Sequence, residues 1–158
     1  MKISNEELVK FLIENRVDEY GVVDISGLDF GDVSVRFSYI KTSKSIFQNY
    51  NEAGSDILQG NNKSGRDIHQ DSQEASGNIY QDAQQAGKDI FQYDNEASRD
   101  IFQNGNKAGR NIYQDAQQAG FNIHQNDNKA GRNIWQNDNK AGLDIIQRHN
   151  KAKGTIYN

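Results

Sequence analysis

The sequence predicts an all-β fold, a β-solenoid of 11-residue repeats with two repeats in each coil. Three observations carry this. First, Ile recurs every 11 residues from Ile46 to Ile156 without a gap. Second, the residue two after each Ile is Gln, from Gln48 to Gln147, and only the last copy departs, with Asn158. Third, a small residue, usually Ala, stands four before each Ile and is usually followed by Gly. The unit is A-G-x-D/N-I-x-Q-x-x-N/Q-x, in eleven tandem copies. Self-similarity at a fixed period is the signature of stacked structural units, each burying its neighbour.

Composition agrees with stacking. The chain has 158 residues, within the range of one domain. Its hydrophobic content is 34%, below the roughly 45–50% (glycine included) of globular domains. An ordinary core would be thin, so stability has to come from stacking, backbone ladders or assembly. The absence of Cys excludes disulfides, thiolate metal sites and thiol catalysis. The net charge of −4 argues against a general phosphate-binding surface, and so against nucleic acid as a direct ligand. No stretch is apolar enough to span a bilayer. The N-terminus has acids and no long apolar core, unlike a signal peptide, so a cytoplasmic protein is expected.

Three regions follow in order. Residues 1–22 read as a short capping helix. Ser4 and Glu7 form a capping-box pattern, and Leu8, Phe11 and Leu12 share a face. Residues 23–42 have a period of five, with Ile25, Phe30, Val35 and Ile40 each preceded at two residues by Val23, Leu28, Val33 and Ser38. This stretch resembles the pentapeptide-repeat family. The resemblance implies one square turn of a right-handed β-helix, a first coil with those eight positions directed inward. Residues 42–158 are the 11-residue repeats.

Within each repeat Ile-x-Gln alternates at period two, so Ile and Gln share a face. Stacked amides can then hydrogen-bond to identical neighbours above and below, which satisfies groups that are costly to bury alone. The expected ladder includes Ile90, Ile101, Ile112 and Ile123, with Gln92, Gln103, Gln114, Gln125, Asn95 and Asn106. The recurring Gly would permit a positive φ or a tight corner at each bend. The order I-x-Q-x-x-N-x-A is similar to curlin repeats, which share such ladders. The rival is a membrane-surface amphipathic helix, since eleven residues make about three turns. Gly in most copies costs it about 1 kcal/mol each, so the membrane reading is disfavoured.

The outward positions select the coil. Six residues after Ile, alternate copies give Glu52, Glu74 and Glu96 on one side, and Lys63, Lys107 and Lys129 on the other. One residue after Ile, alternate copies give Phe47, His69, Phe91, Tyr113, Trp135 and Tyr157, all rings. A coil of two copies sorts both positions. About six coils are expected, at about 4.8 Å each.

No catalytic constellation, cofactor site or metal site emerges. His69, His124 and His149 do not converge, and Asp alternates with Asn before Ile, which points to hydrogen bonding at a corner. Arg66, Lys88, Arg110 and Arg132 align on one face and read as a solvated edge. The ring row is the candidate contact face. Ile145, Ile146, Ile156 and Tyr157 lie at the C-terminal edge and are the candidate self-association surface, because an uncapped strand edge invites pairing. C-terminal dimers also occur in pentapeptide-repeat proteins. The expected function is a non-enzymatic interaction scaffold, a homodimer with one further protein partner. Rival functions are a phage or bacterial inhibitor of a nucleic-acid enzyme or defence system, and a self-assembling fibre.

Overall fold

The computed structural model describes residues 21–158; the expected capping helix lies outside them. Twenty-four strands of two residues each, from Val23–Asp24 to Ile156–Tyr157, form four parallel sheets. The chain visits the sheets in the same cyclic order in every coil, so the fold is a four-sided parallel β-solenoid. Ile90 pairs with Ile68 below and Ile112 above, and Ile101 with Ile79 and Ile123. The coil therefore contains two repeats, as the alternating rings and charges predict, and there are about six coils.

The four sides are named here by what they display. The ring side holds the strands from Ile46–Phe47 to Ile156–Tyr157. The acidic side begins at Glu52–Ala53, the mixed side at Ile57–Leu58, and the basic side at Lys63–Ser64, with Lys41–Thr42 beneath it. Ring and mixed sides are opposite one another, and so are acidic and basic sides.

The interior is half apolar and half amide. Each copy turns four side chains inward: Ile, Gln two on, Asn or Gln five on, and the Ala seven on. Every Ile from Ile46 to Ile134 is fully buried, and so are Gln48 to Gln125 in the next slot. The amides are satisfied by repetition. Gln70, Gln92, Gln114 and Gln136 each donate Nε2 to the Oε1 of the Gln one coil below, all at 2.9 Å. A second column runs Gln59, Gln81, Gln103, Gln125 and Gln147. The Asn slot differs from the expected like-with-like ladder. Asn106 and Asn128 donate Nδ2 to Gln92 and Gln114, while their Oδ1 atoms accept backbone N–H groups from the coil below. The shorter Asn accepts a backbone N–H with its Oδ1, whereas Gln donates both to the Gln one coil below and to a backbone carbonyl of the preceding repeat.

The first coil departs from the five-residue phase. Val23 pairs with Ile46 and Val35 with Ile57, so both sit in the Ile slot. Ile25 and Phe37 then occupy the Gln slot and are fully buried. Leu28 and Ile40 occupy the Asn slot, and their N–H groups donate to Asn51 and Asn62. The interval from Val23 to Val35 is one residue longer than the repeat, and Val33 is left 55% exposed. Residues 23–42 thus form an apolar version of the 11-residue unit. Five-residue spacing matches it at Val23, Ile25, Leu28 and Phe30, then slips at Val33.

The recurring Gly does not carry the positive φ. Left-handed backbone occurs four residues after each Ile, at Tyr50, Asn61, Ser72, Ala83, Asp94, Gly105, Ala116 and onward. Gly serves close approach instead. A Cβ on Gly109 would come within 2.1 Å of the carbonyl oxygen of Gly87, one coil below.

Candidate functional site

The ring side is the most continuous feature of the described surface. Phe47, His69, Phe91, Tyr113, Trp135 and Tyr157 stack face on face. Their centroids are 4.6, 4.5, 5.0, 4.5 and 5.2 Å apart in that order, with planes within 14° of parallel. Each ring follows an inward Ile on a two-residue strand, so it points outward. Parallel pairing in exact coil register places it over its equivalent. The stack is half-buried, with Tyr157 at 43% exposure. Facing rings stabilise adjacent strands by roughly 0.2–1 kcal/mol per pair and leave their edges to solvent. All six expected contact residues are brought together.

Tyr93 enlarges this surface, and the sequence pattern alone misses it. Its ring lies 6.1 Å from Phe91 and 5.8 Å from Tyr113, tilted by 46° to each. It is the single ring among the residues three after Ile, which are otherwise Asn, Asp, Gly60 and Arg148, and that oddity was the available signal. Burial pushes its hydroxyl well above the ordinary range, with Asp115, Asp71 and Asp89 adding repulsion. Tyr113 is raised for the same leading reason.

The mixed side carries a shorter stack. Tyr80, Phe102 and His124 are 4.8 and 4.7 Å apart, between Leu58 and Ile146. The three His residues are thus divided: His69 in one stack, His124 in the other, and His149 at a corner, 3.6 Å from Asp127. Among the described residues no three His, Asp or Glu side chains gather where a metal ion could be held.

The Asp/Asn columns are corner ladders. Asp56 Oδ1 accepts the N–H of Asn78, Asn78 that of Asp100, and Asp100 that of Asn122. In this column alternation keeps carboxylates apart, and Asn122 Nδ2 also donates to Asp100. A second set of columns includes Asp82, which accepts from Asn104 at 2.6 Å, and Asp115, which accepts from Asn137 at 2.7 Å. Burial raises the pKa of both carboxyls, and these hydrogen bonds oppose the shift.

At the C-terminal edge, Ile145 and Ile156 are 44% and 37% exposed, whereas Ile134 one coil below Ile156 is fully buried. Ile146 is half-buried in the mixed side. The expected edge residues therefore divide between the open coil face and the flanks.

These features define an all-β parallel solenoid whose interior is laddered with Asn and Gln and whose outside bears stacked rings. No family model, no curated protein and no solved structure matches the chain. Among the described residues no helix is long and apolar enough to cross a membrane.

Proposed function

We propose that this chain is a non-enzymatic interaction scaffold that docks a protein partner across its ring side. The observation that carries this reading is the unbroken six-ring stack from Phe47 to Tyr157. Contiguous exposed apolar edges of this kind favour contact, and Tyr and Trp are enriched where interfaces draw their energy. The backbone beneath is held in every coil by ladder hydrogen bonds, so the surface is preorganised and little order is lost on binding. Tyr93 and the 66%-exposed Tyr50 widen it at the adjoining corner. The mixed side is a poorer candidate, because its stack is three rings long and is bounded by Leu58 and Ile146.

The scaffold is cytoplasmic in this reading and dimerises through its last coil. Support comes from the exposed Ile145 and Ile156, which a second copy would bury as the coil above it buries Ile134. Light scattering on Ile156→Asp tests the dimer: the variant is expected to have half the native mass, and an unchanged mass overturns it.

Photo-crosslinking tests the docking face. A crosslinker at Tyr50 is expected to trap one partner, with trapping lost in a Phe91→Ser/Tyr113→Ser variant and kept in Phe102→Ser. Trapping equal in all three overturns the ring-side reading. A trapped nuclease or topoisomerase subunit would identify the scaffold as an inhibitor of a nucleic-acid enzyme.

A further inference from the structure

The two remaining sides carry opposite charge. On the acidic side Asp29, Glu52, Glu74 and Glu96 stand in register, one per coil, followed by Gln118 and Lys140. Exposed Asp94, Asp138 and Asp144 flank this row at its two corners, as does the exposed Arg99 beside Glu96. On the opposite side Lys41, Lys63, Gln85, Lys107, Lys129 and Lys151 stand in register. Three residues further along lies a second exposed cationic column, Lys44, Arg66, Lys88, Arg110 and Arg132. Asp67 and Asp89 beside it are turned to the corner, where each accepts the N–H one coil on. Among the described residues no ion pair engages the Lys row or the Glu row, and of the second cationic column only Arg110 meets a carboxylate, Asp89 at 3.8 Å. A net charge of −4 therefore conceals a rod that is acidic on one flank and basic on the other.

We propose that copies of this chain associate side by side, the acidic side of one against the basic side of the next. Charge complementarity selects a second copy as the occupant. Both rows advance by one residue per coil, so a slip by whole coils keeps the two rows in register. Each row also borders a shallow groove, along Gly54, Ser76 and Ser98 on the acidic side and Gly65, Gly87 and Gly109 on the basic side. Small residues there leave room for the partner's Lys or Glu. Lys140 selects the slip. Side by side at one level it meets Lys129 or Lys151. Displacement that sets Glu52, Glu74 and Glu96 against Lys107, Lys129 and Lys151 carries it past the partner's row. The two contacting surfaces differ, so the contact leaves each flank free for another copy and growth is open.

Sedimentation velocity on the full chain tests this, between about 10 mM and about 1 M salt, where the screening length falls from about 30 Å to about 3 Å. At low salt the mean mass is expected to rise at least about twofold with concentration, and to collapse at high salt. Glu52→Lys/Glu74→Lys/Glu96→Lys and Lys107→Glu/Lys129→Glu/Lys151→Glu are each expected to lose this growth, and an equimolar mixture to recover it. Should a reversed chain fail to fold, the Gln triple at the three Glu positions serves in its place and is expected to lose growth. A mass independent of salt overturns the proposal, as does a mixture that stays dispersed. So does a wild-type chain that binds a single-stranded oligonucleotide at low salt without associating with itself. Dimerisation through the last coil is apolar, persists in high salt and is lost in Ile156→Asp, so the two associations fail separately.

Discussion

Gln114 donates its side-chain N–H to the Oε1 of Gln92, 2.9 Å away and one coil below, at a depth with no exposure to solvent. Gln92 passes the contact on to Gln70 in the same way. Its Oε1 also accepts from Asn106, and its Nε2 donates to the carbonyl of Gln81. One side chain thus joins three coils and two sides. Replacing it with Leu preserves volume but strands the Oε1 of Gln70 and the amide of Asn106. Each buried unsatisfied group costs about 1–3 kcal/mol, so Gln92→Leu is expected to lower unfolding free energy by about 2–4 kcal/mol. Urea denaturation measures it, and an unchanged midpoint would mean the ladder contributes nothing.

Gln84 shows the converse. It occupies a slot that most copies fill with Asn, and its Oε1 is buried without a hydrogen-bond partner. Its Nε2 donates to the carbonyl of Gln59. Asn is shorter and, at the equivalent Asn106, satisfies both ends of its amide. Gln84→Asn is expected to raise stability by about 1 kcal/mol, read as a higher urea midpoint. Gln92→Leu and Gln84→Asn therefore test one ladder with opposite signs.

Ala116 holds a φ of 57° in the corner position that Gly105 fills at 65°. A Cβ is strained there, and Gly is not. Ala116→Gly is expected to stabilise by about 0.5–1 kcal/mol despite the looser unfolded chain. Calorimetry gives the sign, and a lower melting temperature would show that this corner tolerates Ala at no cost.

Asp82 supplies a pH dependence. Burial raises its carboxyl pKa above the ordinary value, so the native state favours the protonated form. The stability this gives is fully present below the unfolded-state pKa and is lost as pH rises through the folded one. Asn104, the next residue in that column, performs the same task uncharged by accepting from Asn126. Asp82→Asn is therefore expected to stabilise at neutral pH, with the advantage shrinking as acid protonates Asp82 in the wild type. Melting temperatures across that range measure it, and a gap that widens in acid would contradict the assignment.

Much of this was legible beforehand because the period is a direct record of stacking. Residues that occupy one slot in successive coils share one environment, so Ile recurs where nothing is exposed and rings recur where rings stack. The grouping of Glu52, Glu74 and Glu96 apart from Lys63, Lys107 and Lys129 gave the coil length, since like columns form only at the true repeat. The first coil was less legible. Ile25 and Phe37 replace Gln, and Leu28 and Ile40 replace Asn, and the step from Val23 to Val35 is twelve residues, so neither residue identity nor an unbroken period marks them as the same slots. Only their pairing with Ile46, Ile57 and the residues that follow does so.

The sequence by itself determined the repeat, its inward Ile and Gln, its two-copy coil and the row of rings, because each depends on which residues recur. The tertiary structure alone decided three things. It placed the positive φ four residues after Ile and not at the recurring Gly that follows the small residue, which is kept where the coil below comes too near for a Cβ. It separated Gln, whose Nε2 donates to the Gln one coil below and to a backbone carbonyl, from Asn, whose Oδ1 accepts a backbone N–H of the coil below, since one methylene decides what each amide can reach. It set the acidic row opposite the basic row, because which columns face away from one another follows from the closure of the chain around four sides and not from the order of residues within a repeat.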